Sequence, residues 1–229
     1  GGVVQLNFGI YKSCNTYFAN VYKRTIEKYK RPKDGVDAWA NHLKSFGLGN
    51  FMGYDLPPGR KGHIPTSKFY EHFYPNGGWR STTIISNSVS MTPIQLANMM
   101  ATIANRGYYY TPHIIKTIKG KKIDSKYTTK HVTTIDRRHF DPVVNGLFDV
   151  YNRGTAFGLG VDGLEICGKT GTAENFAKIN GKRVQLEDHS EFVAFAPRIR
   201  PKIAIAVIVE NGHYGNTWAG PIATLMIEK

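Results

Sequence analysis

The sequence predicts an α+β fold in which an antiparallel sheet is flanked by helices. Three observations carry this expectation. The segments LEICGKTGTA (164–173), EFVAFAP (191–197) and KIAIAVIV (202–209) are apolar, rich in strand-forming residues and close in the chain. They make three successive strands, most simply an antiparallel meander. Upstream segments repeat their apolar residues at helical spacing instead, and the chain closes on GPIATLMIEK, the start of a further helix.

Taken in order, residues 3–11 carry an apolar pattern that reads as the end of a helix. CNTYFANVYKRTIEKYK then places Phe18, Val21, Tyr22 and Ile26 at helical spacing, with Lys28, Lys30 and Arg31 in the last turn and Pro32 as the stop. GVDAWANHLKSFGLG (35–49) is a second short helix, closed by Gly47. The stretch 49–80 is rich in Gly and Pro and reads as loops with short strands. TPIQLANMMATIANRG has the clearest helix signature. Thr92 caps it, Pro93 takes the first helical position and Gln95 completes a capping box. Leu96, Met99 or Met100, and Ile103 form its buried stripe, and Gly107 its exit. Residues 108–135 look like strands around a GKK turn, and 139–151 form a helix with Val143, Leu147 and Val150 on one side.

A chain of 229 residues with 41% apolar content suits one or two compact domains. It contains no apolar run of 18 residues, so no helical membrane span is expected within it. The formal net charge of +13 is diffuse; the short clusters at 119–122 and 137–139 read as a solvated basic surface, and no nucleic-acid-binding signature accompanies them. Two cysteines, Cys14 and Cys167, exclude a disulfide scaffold and a cysteine-based zinc site, and read as small buried residues.

The segment ICGKTGTAENF (166–176) poses the functional question. It is not a phosphate-binding loop, because the glycine spacing ahead of Lys169 is wrong and no helix follows. On the exposed end or edge of a strand, Lys169 with Thr170 and Thr172 offers a charge and hydroxyls suited to a carboxylate, while Gly171 leaves room for a ligand backbone. A second polar island, Ser13-x-Asn15, stands at the start of a helix and supplies a hydroxyl able to pass a proton and an amide able to hold a peptide carbonyl. By itself Ser13 reads as a helix cap. Asp188 and His189 are ligand-type neighbours, but two such residues do not make a metal site.

Ser-x-Asn followed much later by Lys-Thr-Gly-Thr resembles the penicillin-binding protein and serine β-lactamase superfamily. SCNTYF (13–18), FGLGNFMGYDLP (46–57), SVSMTPIQLANMMATIANRG (88–107), KTGTAEN and EDHSEFVAFAP (187–197) extend the resemblance over nearly the whole chain. They are similar to class B penicillin-binding proteins, and most to the elongation-specific branch, penicillin-binding protein 2. The resemblance implies the transpeptidase fold of that family and a serine acyl-enzyme reaction on D-Ala-D-Ala stem peptides that cross-links peptidoglycan, inhibited by β-lactams. It implies that Ser13, Asn15 and Lys169 are catalytic and that Thr170, Gly171 and Thr172 bind substrate, the Thr172 N–H forming half of an oxyanion hole. Asp188 and His189 are expected to support the mouth of the cleft. No metal or organic cofactor is implied. The partners implied are stem peptides, a lipid-linked glycan precursor, a membrane glycosyltransferase and elongation-complex proteins, with no nucleic acid; the place implied is the periplasmic side of a bacterial inner membrane.

One departure stands out. No serine in the chain is followed three residues later by lysine, so the family's Ser-x-x-Lys motif is missing. The chain is therefore expected to be part of a transpeptidase domain, with nucleophile and base, a non-catalytic N-terminal domain and a membrane anchor encoded before Gly1. A β-lactamase, a β-lactam sensor domain or a non-catalytic scaffold are the alternative readings.

Overall fold

In a computed structural model that describes residues 4–56, 59–75 and 88–229, the elements run as follows. Among the described residues the helices α1 (Leu6–Tyr11), α2 (Asn15–Glu27), α3 (Pro32–Lys44), α4 (Ser67–Phe73) and α5 (Pro93–Ala104) come first. The short strands β1 (Tyr108–Tyr110) and β2 (Lys130–Val132) precede helix α6 (Phe140–Arg153). Strands β3 (Cys167–Ile179), β4 (Lys182–Ala196) and β5 (Ile203–Val209) and helix α7 (Ala219–Glu228) complete the chain. Two compact units result. One comprises Gly1–Cys14, Ile103–Arg106 and Arg138–Lys229; the other comprises Asn15–Thr102 and Gly107–Arg137.

The first unit contains the expected meander: β3, β4 and β5 are antiparallel in the order β3-β4-β5. The first two strands run further than their apolar segments. They continue as a hairpin to Asn180 and Gly181, whose φ angles of 50° and 79° suit the mirror-image turn of a two-residue loop. The register shifts between Ala173 and Asn175, where β3 and β4 bulge. Phe192, Ala194, Phe195 and Ala196 of β4 are buried with Val144, Leu147, Val150 and Tyr151 of α6. Tyr151 ties three elements together: its ring meets Phe192 edge-on at 5.8 Å and its hydroxyl lies 3.1 Å from Thr224 Oγ1 of α7. Helix α1 lies close to α6, because a Cβ on Gly146 would come within 2.6 Å of the Ile10 side chain. On α6 it is Val144, not Val143, that is buried.

The second unit buries Ile26, Val36 and Tyr70 in one cluster and Ala40, Leu48 and Ile64 in another. Helix α2 ends at Glu27, before the basic residues assigned to its last turn, and Phe18 and Val21 are exposed at 40% and 41%. Pro32 does not merely stop α2. It opens α3, where a missing N–H costs nothing, so that helix begins before Gly35. Among the described residues of 49–75 the structure contains helix α4, with Asp37 accepting from both the N–H and the hydroxyl of Ser67 at 2.8 and 2.7 Å, and an isolated bridge between His63 and Ser90. The rest of the expected loop, 57–58 and 76–80, lies outside the described residues.

The capping box of α5 forms as expected. Gln95 Oε1 accepts from Thr92 N–H at 2.9 Å, and Gln95 N–H reaches Thr92 Oγ1 at 3.3 Å. The same buried amide then donates toward the carbonyls of Asn50, Lys61 and Gly47 at 3.1, 3.0 and 3.4 Å, pinning the glycine-rich segment to the helix. Gln95→Leu strands these carbonyls and removes one cap. It should cost about 2–3 kcal/mol, since each buried polar group left unpaired costs about 1–3 kcal/mol. Denaturant unfolding measures this, and a loss below about 0.5 kcal/mol would show that the amide is not the pin.

Candidate active site

Lys169 sits on β3, the edge strand of the sheet, opposite Val193. Its ammonium donates to Ser13 Oγ at 2.7 Å and reaches Thr170 O at 2.9 Å and Thr170 Oγ1 at 3.4 Å. Three N–H donors thus meet three acceptors. Burial removes the cation from water and lowers its pKa from 10.5 to about 8. Two polar islands 156 residues apart are thereby joined by one hydrogen bond.

Ser13 owes its position to the way α1 ends. Ser13 N–H bonds Ile10 O at 3.1 Å and Cys14 N–H bonds Gly9 O at 2.9 Å, the paired bonds of a Schellman exit. That motif needs a left-handed residue, and Ser13 has φ 54° where glycine is usual. A non-glycine residue there costs roughly 1–2 kcal/mol, a strain confined to a residue that touches Lys169. The sequence placed Ser13 at a helix start; the structure places it just past the end of α1. Asn15 is the first residue of α2 and belongs to the second unit.

A residue absent from the sequence reading completes the cluster. Thr155 Oγ1 lies 2.7 Å from Thr170 Oγ1, and Thr155 N–H bonds Tyr11 O at 3.1 Å. Thr155 therefore orients the Thr170 hydroxyl and ties the Ser13-bearing end of α1 to the strand. Its only sequence signal is its place just after the glycine that closes α6. Thr172 is exposed on β3, opposite the fully buried Ser190.

Gly171 is small for a reason internal to the protein. A Cβ there would come within 2.9 Å of Glu191 Oε2, on the residue directly across β4. The sequence reading had assigned that space to a ligand backbone. Glu191 is half-buried, and desolvation raises its carboxyl pKa against the opposing influence of His189. Asp188 and His189 bind the segment that follows β5: His213 N–H donates to Asp188 O at 2.9 Å and Asn211 N–H to His189 Nδ1 at 3.2 Å. Cys167 is fully buried, and its thiol is pushed up to about 12 by burial, which leaves it a packing residue.

The penicillin binding protein transpeptidase domain family matches residues 1–228. The peptidoglycan D,D-transpeptidase MrdA of Acinetobacter baumannii is 31% identical over 95% of this chain. The chain spans only 33% of that relative's length. Among solved structures, Pseudomonas aeruginosa PBP2 in complex with WCK 5153 superposes with a TM-score of 0.75 at 31% identity, covering 99% of this chain and 49% of the other. A ceftriaxone acyl-enzyme complex of penicillin-binding protein A from M. tuberculosis gives 0.71 at 28% identity, covering 98% and 48%.

The strain at Ser13 makes a separable prediction. Ser13→Gly should relieve about 1–2 kcal/mol of backbone strain while leaving one buried Lys169 N–H unpaired at about 1–3 kcal/mol, so its stability should lie between about 1 kcal/mol above and about 2 kcal/mol below the parent. Ser13→Val should destabilise it. Chemical denaturation of the two variants checks the order, and a less stable glycine variant would mean that the hydrogen bond to Lys169 outweighs the backbone strain.

Proposed function

The chain belongs to the penicillin-binding protein transpeptidase family, and from that premise we propose that the protein carrying it is a peptidoglycan D,D-transpeptidase of the elongation type. The observation that carries the reading is the Ser13–Lys169–Thr170 cluster, with the Lys169 Nζ held 2.7 Å from a serine hydroxyl.

In the proposed reaction a serine Oγ attacks the carbonyl between the two terminal D-alanines of a stem peptide. The tetrahedral oxyanion is held by the Thr172 N–H and by the N–H of that nucleophilic serine. The C–N bond breaks as Ser13 passes a proton to the leaving amine, its hydroxyl polarised by Lys169. An amine on a second stem then attacks the ester, forms the cross-link and frees the serine. Thr170, oriented by Thr155, and the Lys169 charge receive the substrate's terminal carboxylate. Asn15 is assigned to the substrate amide and to the base lysine, and Asp188 and His189 to support of the cleft. A β-lactam stops the cycle at the acyl stage. The scheme calls for no metal or organic cofactor.

The nucleophile and base are assigned to a Ser-x-x-Lys segment outside these residues, together with a non-catalytic domain and a membrane anchor that hold the site on the periplasmic face. Among the described residues no helix is long and apolar enough to cross a membrane. A membrane glycosyltransferase that supplies uncross-linked glycan, and elongation-complex proteins, are the partners this assignment calls for.

Two measurements test the reading. Intact-mass analysis with a labelled penicillin should show no adduct on these 229 residues alone and one adduct on the complete protein; an adduct on Ser13 would reassign the nucleophile. Acylation by the complete protein should also fall as pH rises through about 8, because Lys169 then loses the proton that its three acceptors require. The alkaline limb should vanish in Lys169→Ala, whose remaining rate should be about tenfold to a hundredfold lower, the worth of a charge-assisted hydrogen bond. A rate that climbs through the same pH range would make neutral Lys169 the active form.

A further inference from the structure

We infer that the segment 211–219, between β5 and α7, is a buttress for the Gly171 and Thr172 peptides, and that Ser190 and Gly215 are the positioning residues through which it acts. This deepens the proposed function and rests on it, since it concerns the strand that would hold the oxyanion.

The need for a buttress follows from the position of β3. It is an edge strand, and a substrate backbone can reach it only if its outer side stays free. Rigidity must therefore come from β4 and from the faces of the sheet. Glu191 covers Gly171 on one face. Ser190, the next residue along β4, projects to the other face and is directly opposite Thr172.

On that second face Ser190 is fully buried and fully used. Its hydroxyl donates to Tyr214 O at 2.7 Å and accepts from Ala219 N–H, at the first residue of α7, at 3.2 Å. These two bonds fix both ends of the stretch 214–219. Gly215 lies between them, and a Cβ there would collide with Glu191 O and come within 2.5 Å of Gly171 O and 2.9 Å of Gly171 N. The loop backbone thus rests directly on the peptide group of Gly171. Gly215 O also accepts Gly220 N–H at 2.8 Å, which joins the contact to the first turn of α7. Gly212 makes the approach possible at the other end, since a Cβ there would come within 2.9 Å of Ser190 Cβ. The bonds to His189 Nδ1 and Asp188 O described above clamp 211–213 to the same strand.

Gly171 is therefore gripped between Glu191 and Gly215, and the Thr172 N–H takes its direction from a peptide that cannot tilt. A side chain at 215 pushes the loop off the sheet. Loss of the Ser190 hydroxyl frees one end of the loop and leaves its partners unpaired.

The test compares Gly215→Ala and Ser190→Ala with the parent in the complete protein, by acylation with a reporter β-lactam and by amide hydrogen exchange. Gly215→Ala should acylate about tenfold or more slowly and Ser190→Ala about three- to tenfold, with faster exchange confined to Gly171 and Ala173, whose N–H groups face β4, and the alkaline limb still near 8. Parent-like acylation and exchange in the folded variants would overturn the inference. So would faster exchange spread equally over β5, which marks general loosening. If Gly215→Ala does not fold, Ser190→Ala alone decides. If the parent itself takes no β-lactam, the proposed function fails, and local exchange at Gly171 and Ala173 still decides the buttress.

Discussion

A lysine cation taken out of water must be given partners, and much of the first unit answers that constraint. Lys169 has lost enough solvent to bring its pKa down to about 8, yet each of its N–H groups has an acceptor. Two of those acceptors come from the next residue of its own strand. The third must come from elsewhere, and Ser13 supplies it only because α1 ends in a left-handed turn. That turn is held against β3 through Tyr11 O, Thr155 and Thr170. Removing the lysine would thus leave a strained helix end and an idle threonine pair. Their presence is hard to explain without it.

Close approach of backbones is the second constraint, and it explains where glycine stands. Gly146 lets α1 reach α6, Gly154 lets the end of α6 reach Tyr11 O, and Gly168 lets β3 pass Tyr151. None of these glycines has the positive φ that usually accounts for glycine. They are small so that α1, α6 and β3 meet at one place, which is where Ser13, Thr155 and Thr170 are found. Packing and site geometry are here the same contacts seen at two scales.

The parts legible in the sequence are those where burial writes a period. The meander declared itself because Phe192, Ala194 and Ala196 alternate into a core, and α5 because its cap and buried stripe agree. The hairpin arm at 174–190 was missed because Phe176, Ile179, Val184 and Leu186 are all substantially exposed, so no buried face disciplines the pattern. Its turn was nevertheless signalled by Asn180-Gly181. Pro32 carried two meanings, stop and start, and only the fold of α3 chose between them. For the site, residue types at Ser13 and at 169–172 gave the chemistry, while their meeting was supplied by family resemblance. Thr155, Ser190 and Gly215 left no comparable mark. Their work is done through single contacts between distant segments, which local spacing does not encode.

An edge strand left open for a peptide, as the proposed function requires, also invites the wrong one. Continuous flat edges pair with other chains, and natural sheets blunt them with lysines, bulges and twist. Strand β3 carries a bulge and a lysine outside the short stretch that would bind substrate. The bulge between Ala173 and Asn175 breaks the register just beyond Thr172, and Lys178, with Lys182 and Arg183 across the turn, places like charges along the far arm. Arg183 also lies over the Phe176 ring at 3.6 Å, setting a charge against the largest apolar side chain of that arm. Residues 169–172 keep an unbroken register with 190–193. There Lys169 is turned toward Ser13 instead of guarding the edge, and the buttress behind Gly171 holds the strand in place of a neighbour in front. The open window thus ends where the back of the strand is supported, at Gly171 and Thr172, which is the relation expected if availability and rigidity of this edge are set by the same contacts.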